Sequence, residues 1–317
     1  MALLRRGCIV SGVLSIDVGG TKTRLGLVDA AGEVTHELDV PTRVEADDVT
    51  RVVDLAVAAV VQTRPDAVAV GFPEYVDTDG RLTSTEVLTW ATQPAAALAT
   101  ALAPHGLCAD RIVIDSDVRL GAVGEAAWGS GRGVSSLLYV SLGTGLSSAL
   151  VLGGDPWRGA RGEGIGLGEF HTDDGTLESH VSGAGIQARY EAATGQSLTG
   201  RELAARAAAG DPGVRRMLTA AGVRLGDALA DAVFLLDPER VVLGGGWGTA
   251  DTPLVSAAFT QYRTRVSRRP GAPPAVRAAL GHRSGLLGGG VRGLRALDPT
   301  FLPDNDLPSD NDLMTDT

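Results

Sequence analysis

Asp17-Val-Gly19-Gly20-Thr21-Lys22 is the segment of this chain best equipped for chemistry. An apolar run beginning at Leu14 ends in the acidic residue. A turn poor in side chains follows, and a second apolar run closes at Asp29-Ala-Ala-Gly32. The pattern predicts a β-hairpin with a tight turn. Such a turn exposes backbone N–H groups, and a ring of N–H groups suits phosphate. An acid beside bound phosphates can hold Mg²⁺ directly or through water. Standing alone, the segment is equally compatible with an ordinary glycine-rich hairpin.

The design recurs. Residues 138–142 are again an apolar strand, Gly143-Thr144-Gly145 is a turn, and a second strand over 146–152 closes at Gly153-Gly154. Two matching hairpins predict a duplicated domain with one phosphate turn in each half and a nucleotide in the cleft between them. A third cluster, Gly244-Gly245-Gly246-Trp247-Gly248, follows the short run 240–243. It predicts close backbone approach to something flat or bulky. Lys22 is the only lysine of the chain, every other basic side chain apart from histidine being arginine. A compact ammonium in the first turn suits a phosphate contact.

Periodicity supplies the elements that must position these turns. Residues 47–61 have helical spacing and lead to a strand over 67–71, which Phe72-Pro73-Glu74-Tyr75-Val76-Asp77 leaves as a loop. An alanine-rich helix over 94–103 precedes a short buried strand over 111–114. Asp115-Ser116-Asp117 stands at the carboxyl end of that strand, with a helix over 120–128 beyond it and Ser116 or Asp117 as its N-cap. Residues 182–236 read as helical, and the glycine-rich stretch 281–291 leads into a last helix near Ala296. Strands alternating with helices predict an α/β architecture, with ligands at the carboxyl ends of strands.

Composition bounds the function. A chain of 317 residues can build two cores. The net charge is −10, and residues 298–317 hold six aspartates and no basic residue, which predicts an acidic disordered tail there. No basic surface for nucleic acid and no run of transmembrane length is expected. Cys8 and Cys108 make neither a disulfide framework nor a zinc motif, which fits a reducing cytoplasm. Residues 1–13 read as a leader, too short for a helix-turn-helix module.

The ordered set of motifs resembles the ROK family of sugar kinases within the actin-like ATPase superfamily, from about 14 to 297. Its marks are Asp17-x-Gly-Gly-Thr-Lys, Gly71-x-Pro73, Asp117 followed by Gly124-Glu125, and Gly129-x-Gly131-Arg-Gly133. They continue through Gly143-Thr-Gly145, Arg158-Gly-Ala-Arg-Gly162, Gly168-Glu169, Asp237-Pro238-Glu239 and Leu243-Gly-Gly-Gly246. The resemblance implies two ribonuclease H-like lobes around a nucleotide cleft. The N-terminal lobe is 14–116, the C-terminal lobe 117–284, and the last helix, about 285–297, packs back on the N-terminal lobe. It places Asp17 near Mg²⁺, held through water, with Gly19, Gly20, Thr21 and Lys22 at the ATP phosphates. Gly143, Thr144 and Gly145 form the second phosphate turn, and Gly244, Gly245 and Gly246 lie against adenosine. Asp117 is the general base, while Gly71, Ser116, Glu169, His171 and Glu178 face the acceptor.

Three departures from that family fall on the acceptor side. The family's cysteine zinc site has no counterpart in His171-Thr-Asp-Asp-Gly-Thr-Leu-Glu178, so no structural zinc is expected. Ser116-Asp117 stands for the usual Asn-Asp, with Arg119 where an asparagine follows. Glu169 and His171 are separated by one residue instead of two. The resemblance therefore implies phosphorylation of the primary hydroxyl of glucose, an aminosugar such as kanosamine, or a C7 cyclitol of an antibiotic pathway. Dimers are common in the family, and a homodimer is compatible with the chain. Polyphosphate is a rival donor, opposed by the glycine cluster after Leu243. A sugar-responsive regulator and a catalytically silent actin-like protein are the rival functions.

Overall fold

The computed structural model describes residues 12–42 and 48–303. The leader up to residue 11 and most of the expected acidic tail lie outside them. The chain divides into two compact units, one of residues up to Leu120 together with those from Gly285 onward, the other Gly121–Ser284.

In the first unit, β1 (Val13–Val18), β2 (Lys22–Val28) and β3 (Val34–Pro41) form an antiparallel meander. Helix α1 (Asp48–Thr63) leads to β4 (Ala67–Phe72), and α2 (Pro94–Leu102) leads to β5 (Ile112–Ser116), which passes into α3 (Asp117–Trp128). The sheet order is β3-β2-β1-β4-β5, with β4 parallel to both β1 and β5. β4 is buried throughout and β1 nearly so, as expected of central strands covered on both faces. Leu14, Ile16, Val68, Val70 and Phe72 pack with Val52, Ala56 and Val60 of α1 and Leu98 and Leu102 of α2. Each such side chain contributes about 1.5–3 kcal/mol by leaving water.

The second unit repeats the plan. β6 (Ser136–Leu142), β7 (Leu146–Leu152) and β8 (Asp155–Trp157) form its meander. A two-residue-per-strand hairpin, β9 (His171–Thr172) and β10 (Gly175–Thr176), precedes α4 (Leu177–Val181), α5 (Gly183–Thr194), α6 (Gly200–Ala208) and α7 (Pro212–Leu236). Then come β11 (Arg240–Gly244), α8 (Gly245–Gly248), α9 (Pro253–Val266) and β12 (Ala275–Arg277). The order β8-β7-β6-β11-β12 matches that of the first sheet position by position. Both hairpins foreseen from the glycine turns are present, whereas the edge strands β3 and β8 were not foreseen.

The chain returns to the first unit as α10 (Ser284–Leu297). The glycine-rich stretch does not merely lead into this helix; from Gly285 onward it is the helix. A Cβ on Gly285 would lie 2.6 Å from Asp17 Cγ, one on Gly289 3.2 Å from Ser15 Cβ, and one on Gly293 2.4 Å from Val13 Cγ1. Glycines four apart on α10 therefore meet residues two apart on β1. The helix rise of about 6 Å per four residues nearly matches the strand rise of about 6.7 Å per two. Glycine weakens a helix by about 1 kcal/mol each, and here the close approach to β1 requires it. Among the described residues no helix is long and apolar enough to cross a membrane.

Candidate active site

Asp117 is the first residue of α3, directly after β5. Between the two N-cap candidates the structure selects Ser116, whose Oγ accepts the Arg119 N–H at 3.3 Å. Such a cap contributes about 1 kcal/mol. The Asp117 carboxylate accepts the Val118 N–H at 2.6 Å through one oxygen. Gly71 lies beneath it, where a Cβ would come within 3.2 Å of Asp117 Cα and 2.9 Å of Leu120 Cδ1. The glycine lets β4 carry the head of α3. The Asp117 carboxyl is pushed up to about 8, first by desolvation, then by the negative charge of Asp17, with Glu74 adding to it and the Val118 N–H opposing.

Asp17 occupies the end of β1, paired in register with Arg24. Its carboxyl rises to about 6 through burial, with Arg24 opposing and Asp39 reinforcing. The charge of Asp17 thus penalises ionisation of Asp117, an arrangement a divalent cation would relieve. The turn after Asp17 closes through Gly19 N–H to the Lys22 carbonyl at 2.9 Å. Lys22 is well exposed and reaches Asp39 at 3.6 Å.

The second turn is built differently. Gly143 N–H donates to the Gly145 carbonyl, and the carbonyls of Gly143 and Thr144 accept from Gly183 N–H and Ala184 N–H, all at 2.9 Å. The first amides of α5 thereby take the turn's outward oxygens. Cβ atoms on Gly143 or Gly246 would meet nothing within 4 Å, so backbone there is open to a ligand. Other glycines of these motifs serve packing. Gly244 makes room for Tyr139, whose Cε2 lies 2.8 Å from the absent Cβ, and Gly245, with φ +78°, sits 2.4 Å from the Leu142 carbonyl oxygen by the same measure. The residues Gly245–Gly248 form a helical turn, with Trp247 packed against Gly183 and Gly200.

Of the acceptor-side candidates, Glu178 lies under the second turn, its Oε2 accepting the Leu146 N–H at 2.7 Å. Glu169 ends a short 3-10 turn, Leu167–Glu169, and His171 opens β9; both are exposed. Gly71 and Ser116 belong with Asp117 in the first unit, and Glu169, His171 and Glu178 belong to the second.

Over residues 13–291 the sequence matches the ROK family. The chain belongs to that family. A kanosamine kinase from Amycolatopsis mediterranei is 30% identical over 299 residues, covering 87% of this chain and 93% of its own. A glucokinase from Streptomyces coelicolor is 27% identical over 314 residues, covering 87% of this chain and 95% of its own. A ROK hexokinase from Thermus thermophilus superposes with a TM-score of 0.78 at 28% identity, over 90% of this chain and 99% of that one. The fold is the actin-like ATPase fold of ROK proteins, with two copies of one sheet plan.

Several residues that organise the site of this ROK protein have structural tasks that the sequence did not reveal, although Glu125 and Arg119 were noted there as a family mark and a departure. Glu74 is buried and accepts four hydrogen bonds, from Ser84 Oγ and from the N–H groups of Glu86 at 2.8 Å, Val87 at 2.8 Å and Leu88 at 2.7 Å. It folds the loop after β4 around one carboxylate. Arg119, also buried, donates to Asp115 Oδ1 and to the Val76 carbonyl, joining that loop to the head of α3. Breaking one side of such a buried pair costs about 3–5 kcal/mol. In the second unit, Glu125 is saturated by the N–H groups of Ser130, Ala279 and Leu280 and by Ser284 Oγ. A carboxylate at loop spacing resembles any surface acid until the amides that surround it are known.

Proposed function

We propose that this ROK protein is an ATP-dependent kinase of the primary hydroxyl of a hexose or hexose-like polyol, acting in the cytoplasm. The observation that carries the reading is Asp117, a carboxyl fixed at the head of α3 and pushed up to about 8 beside a second acid. A proton acceptor is most effective when its pKa lies near the working pH. Asp117 receives the proton of the acceptor hydroxyl as that oxygen bonds to the γ-phosphorus. The bond from phosphorus to the bridging oxygen breaks, and ADP leaves with the electron pair.

Phosphoryl transfer depends on positioning and charge stabilisation. Gly20 and Thr21 offer amides and Lys22 an ammonium to the phosphates, and Thr144 and Gly145 offer amides, while the Gly19 and Gly143 amides close their own turns. The open backbone at Gly246, supported by Gly244 and Gly245, suits adenosine and favours ATP over polyphosphate. Asp17 would hold Mg²⁺ through water, and the ion supplies neutralising charge at the phosphoryl oxygens. The crowding of Asp17 and Asp117 supports that fit. Gly71 and Ser116 shape the acceptor side in the first unit; Glu169, His171 and Glu178 offer hydrogen-bonding groups in the second.

Glucose is the default acceptor, by likeness to the glucokinase. An aminosugar is the second reading, favoured by the 30% identity to a kanosamine kinase. A coupled ADP-release screen over hexoses, aminosugars and cyclitols, with the product's phosphate located by NMR, tests both. The expected result is Mg²⁺-dependent turnover of one acceptor class, with phosphate on a primary carbon. Absence of ADP release with every acceptor would overturn the kinase reading.

A further inference from the structure

The β9–β10 hairpin cannot hold itself, since isolated hairpins are marginal in water even when longer. Its bracing comes from side chains to which the kinase reading gives no task. Asp174, in the hairpin turn, has Oδ1 2.8 Å from His180 Nε2 on α4 and Oδ2 3.2 Å from Arg189 Nη2 on α5. Arg189 Nη2 is itself 2.8 Å from His180 Nε2, and Thr172 Oγ1 of β9 is 2.9 Å from the same nitrogen. Arg189 Nε donates further to the Ser179 carbonyl at 3.1 Å. Groups from the hairpin and α5 thus converge on one imidazole nitrogen of α4, in a side chain only 3% exposed.

Chemistry limits how that nitrogen is used. A guanidinium only donates and a carboxylate only accepts, so His180 Nε2 serves either Arg189 with its lone pair or Asp174 with its proton, and not both at once. Burial holds the imidazole below its ordinary value, as do the charges of Arg189 and of Arg224 on α7, while Asp174 pulls the other way. The hairpin carries His171, paired across it with Thr176, and Glu169 stands just before it. Glu178 lies two residues from His180 on the same short helix.

We propose that the Asp174–His180–Arg189 cluster fixes the acceptor-side wall, His180 being a positioning residue for His171 and Glu169. The wall's ligand rests on the kinase reading; the brace itself does not. In this chain a polar clasp of three side chains does the holding.

The test compares Asp174→Asn, His180→Leu and His180→Gln with wild type, in the full chain. The Gln amide offers an oxygen to Arg189 and an N–H to Asp174, and it does not titrate. Asp174→Asn and His180→Leu should raise the sugar KM roughly tenfold, leaving kcat and the ATP KM within about twofold. His180→Gln should restore the wild-type sugar KM. Amide hydrogen exchange should quicken over residues 170–178 in Asp174→Asn, an exposed position that folding tolerates, and nowhere else. A sugar KM unmoved by both disruptive variants, an equal fall in kcat, or unchanged exchange would each overturn the proposal. If wild type phosphorylates no acceptor, the kinase reading fails separately, and exchange over 170–178 still decides the brace.

Discussion

The two hairpin turns occupy the same place in the same topology, yet their surroundings differ in charge. Asp17 pairs in register with Arg24 at the end of β1, whereas its counterpart at the end of β6 is Ser141, paired with Ser147. The first turn sits among Asp17, Asp117, Arg24 and Asp39. The second has no acid on its own strands; its one close carboxylate, Glu178, reaches Leu146 N–H from α4. Duplication kept the sheet and divided the work. One half holds the two crowded acids to which the kinase proposal gives proton and cation, and the other has serine where the first has Asp17.

The largest way to break this comparison is Asp117→Asn. It should lower kcat by roughly 10³-fold, within the range for a lost general base, as steady-state kinetics will show. The same change should stabilise the ligand-free protein. A carboxyl raised to about 8 in the fold, against its ordinary value of 3.8, favours the folded state at low pH and loses that contribution as pH rises toward 8. The melting temperature of Asp117→Asn should therefore exceed that of wild type above pH 8, with the gap closing toward pH 4.

Glycine substitutions come next and separate packed positions from open ones. Gly285→Ala places a Cβ 2.6 Å from Asp17 Cγ, and should cost roughly 1–3 kcal/mol by overpacking, along with most of the activity. Gly246→Ala meets nothing and should melt like wild type while raising the ATP KM. Equal denaturant midpoints for the two variants would erase the distinction drawn here. Glu178→Ala leaves Leu146 N–H without its acceptor and should cost about 1–3 kcal/mol, whereas Glu178→Gln keeps an acceptor and should cost less in the same titration.

The smallest effect expected is at His180. Its pKa is lowered in the fold, so its contribution to stability is present above the ordinary value of 6.5 and declines as pH falls through the folded value. Wild type should lose stability on acidification below pH 6.5, and His180→Gln should lose less over that range, as thermal melts will register.

Much of this was legible in the residues. Apolar runs flanking bare glycine turns gave both hairpins, and Asp115-Ser116-Asp117 gave the strand-to-helix junction. The edge strands were hidden because β3 is almost wholly exposed and β8 spans three residues, so neither carries an apolar alternation. The glycines of α10 carry no helical pattern of their own, because intrinsic propensity disfavours them in a helix; only the resemblance implied a helix from about 285, and contact with β1 overrides the propensity. The tasks of Glu74, Arg119 and His180 were hidden for a different reason. Their partners are backbone groups or side chains brought near by folding, and no local pattern encodes that.

The α10 stripe also constrains how the protein is made. Five of the helix's 14 residues are glycine, so it has little tendency to form before it can lie against β1. Yet β1 leaves the ribosome first, and α10 follows only after the whole of Gly121–Ser284. Asp17 must wait through that synthesis with its neighbour Gly285 still absent. Vectorial translation therefore completes the continuous second unit before the discontinuous first, and Asp17, the carboxylate proposed to hold Mg²⁺, is among the last parts of the molecule to be set in place.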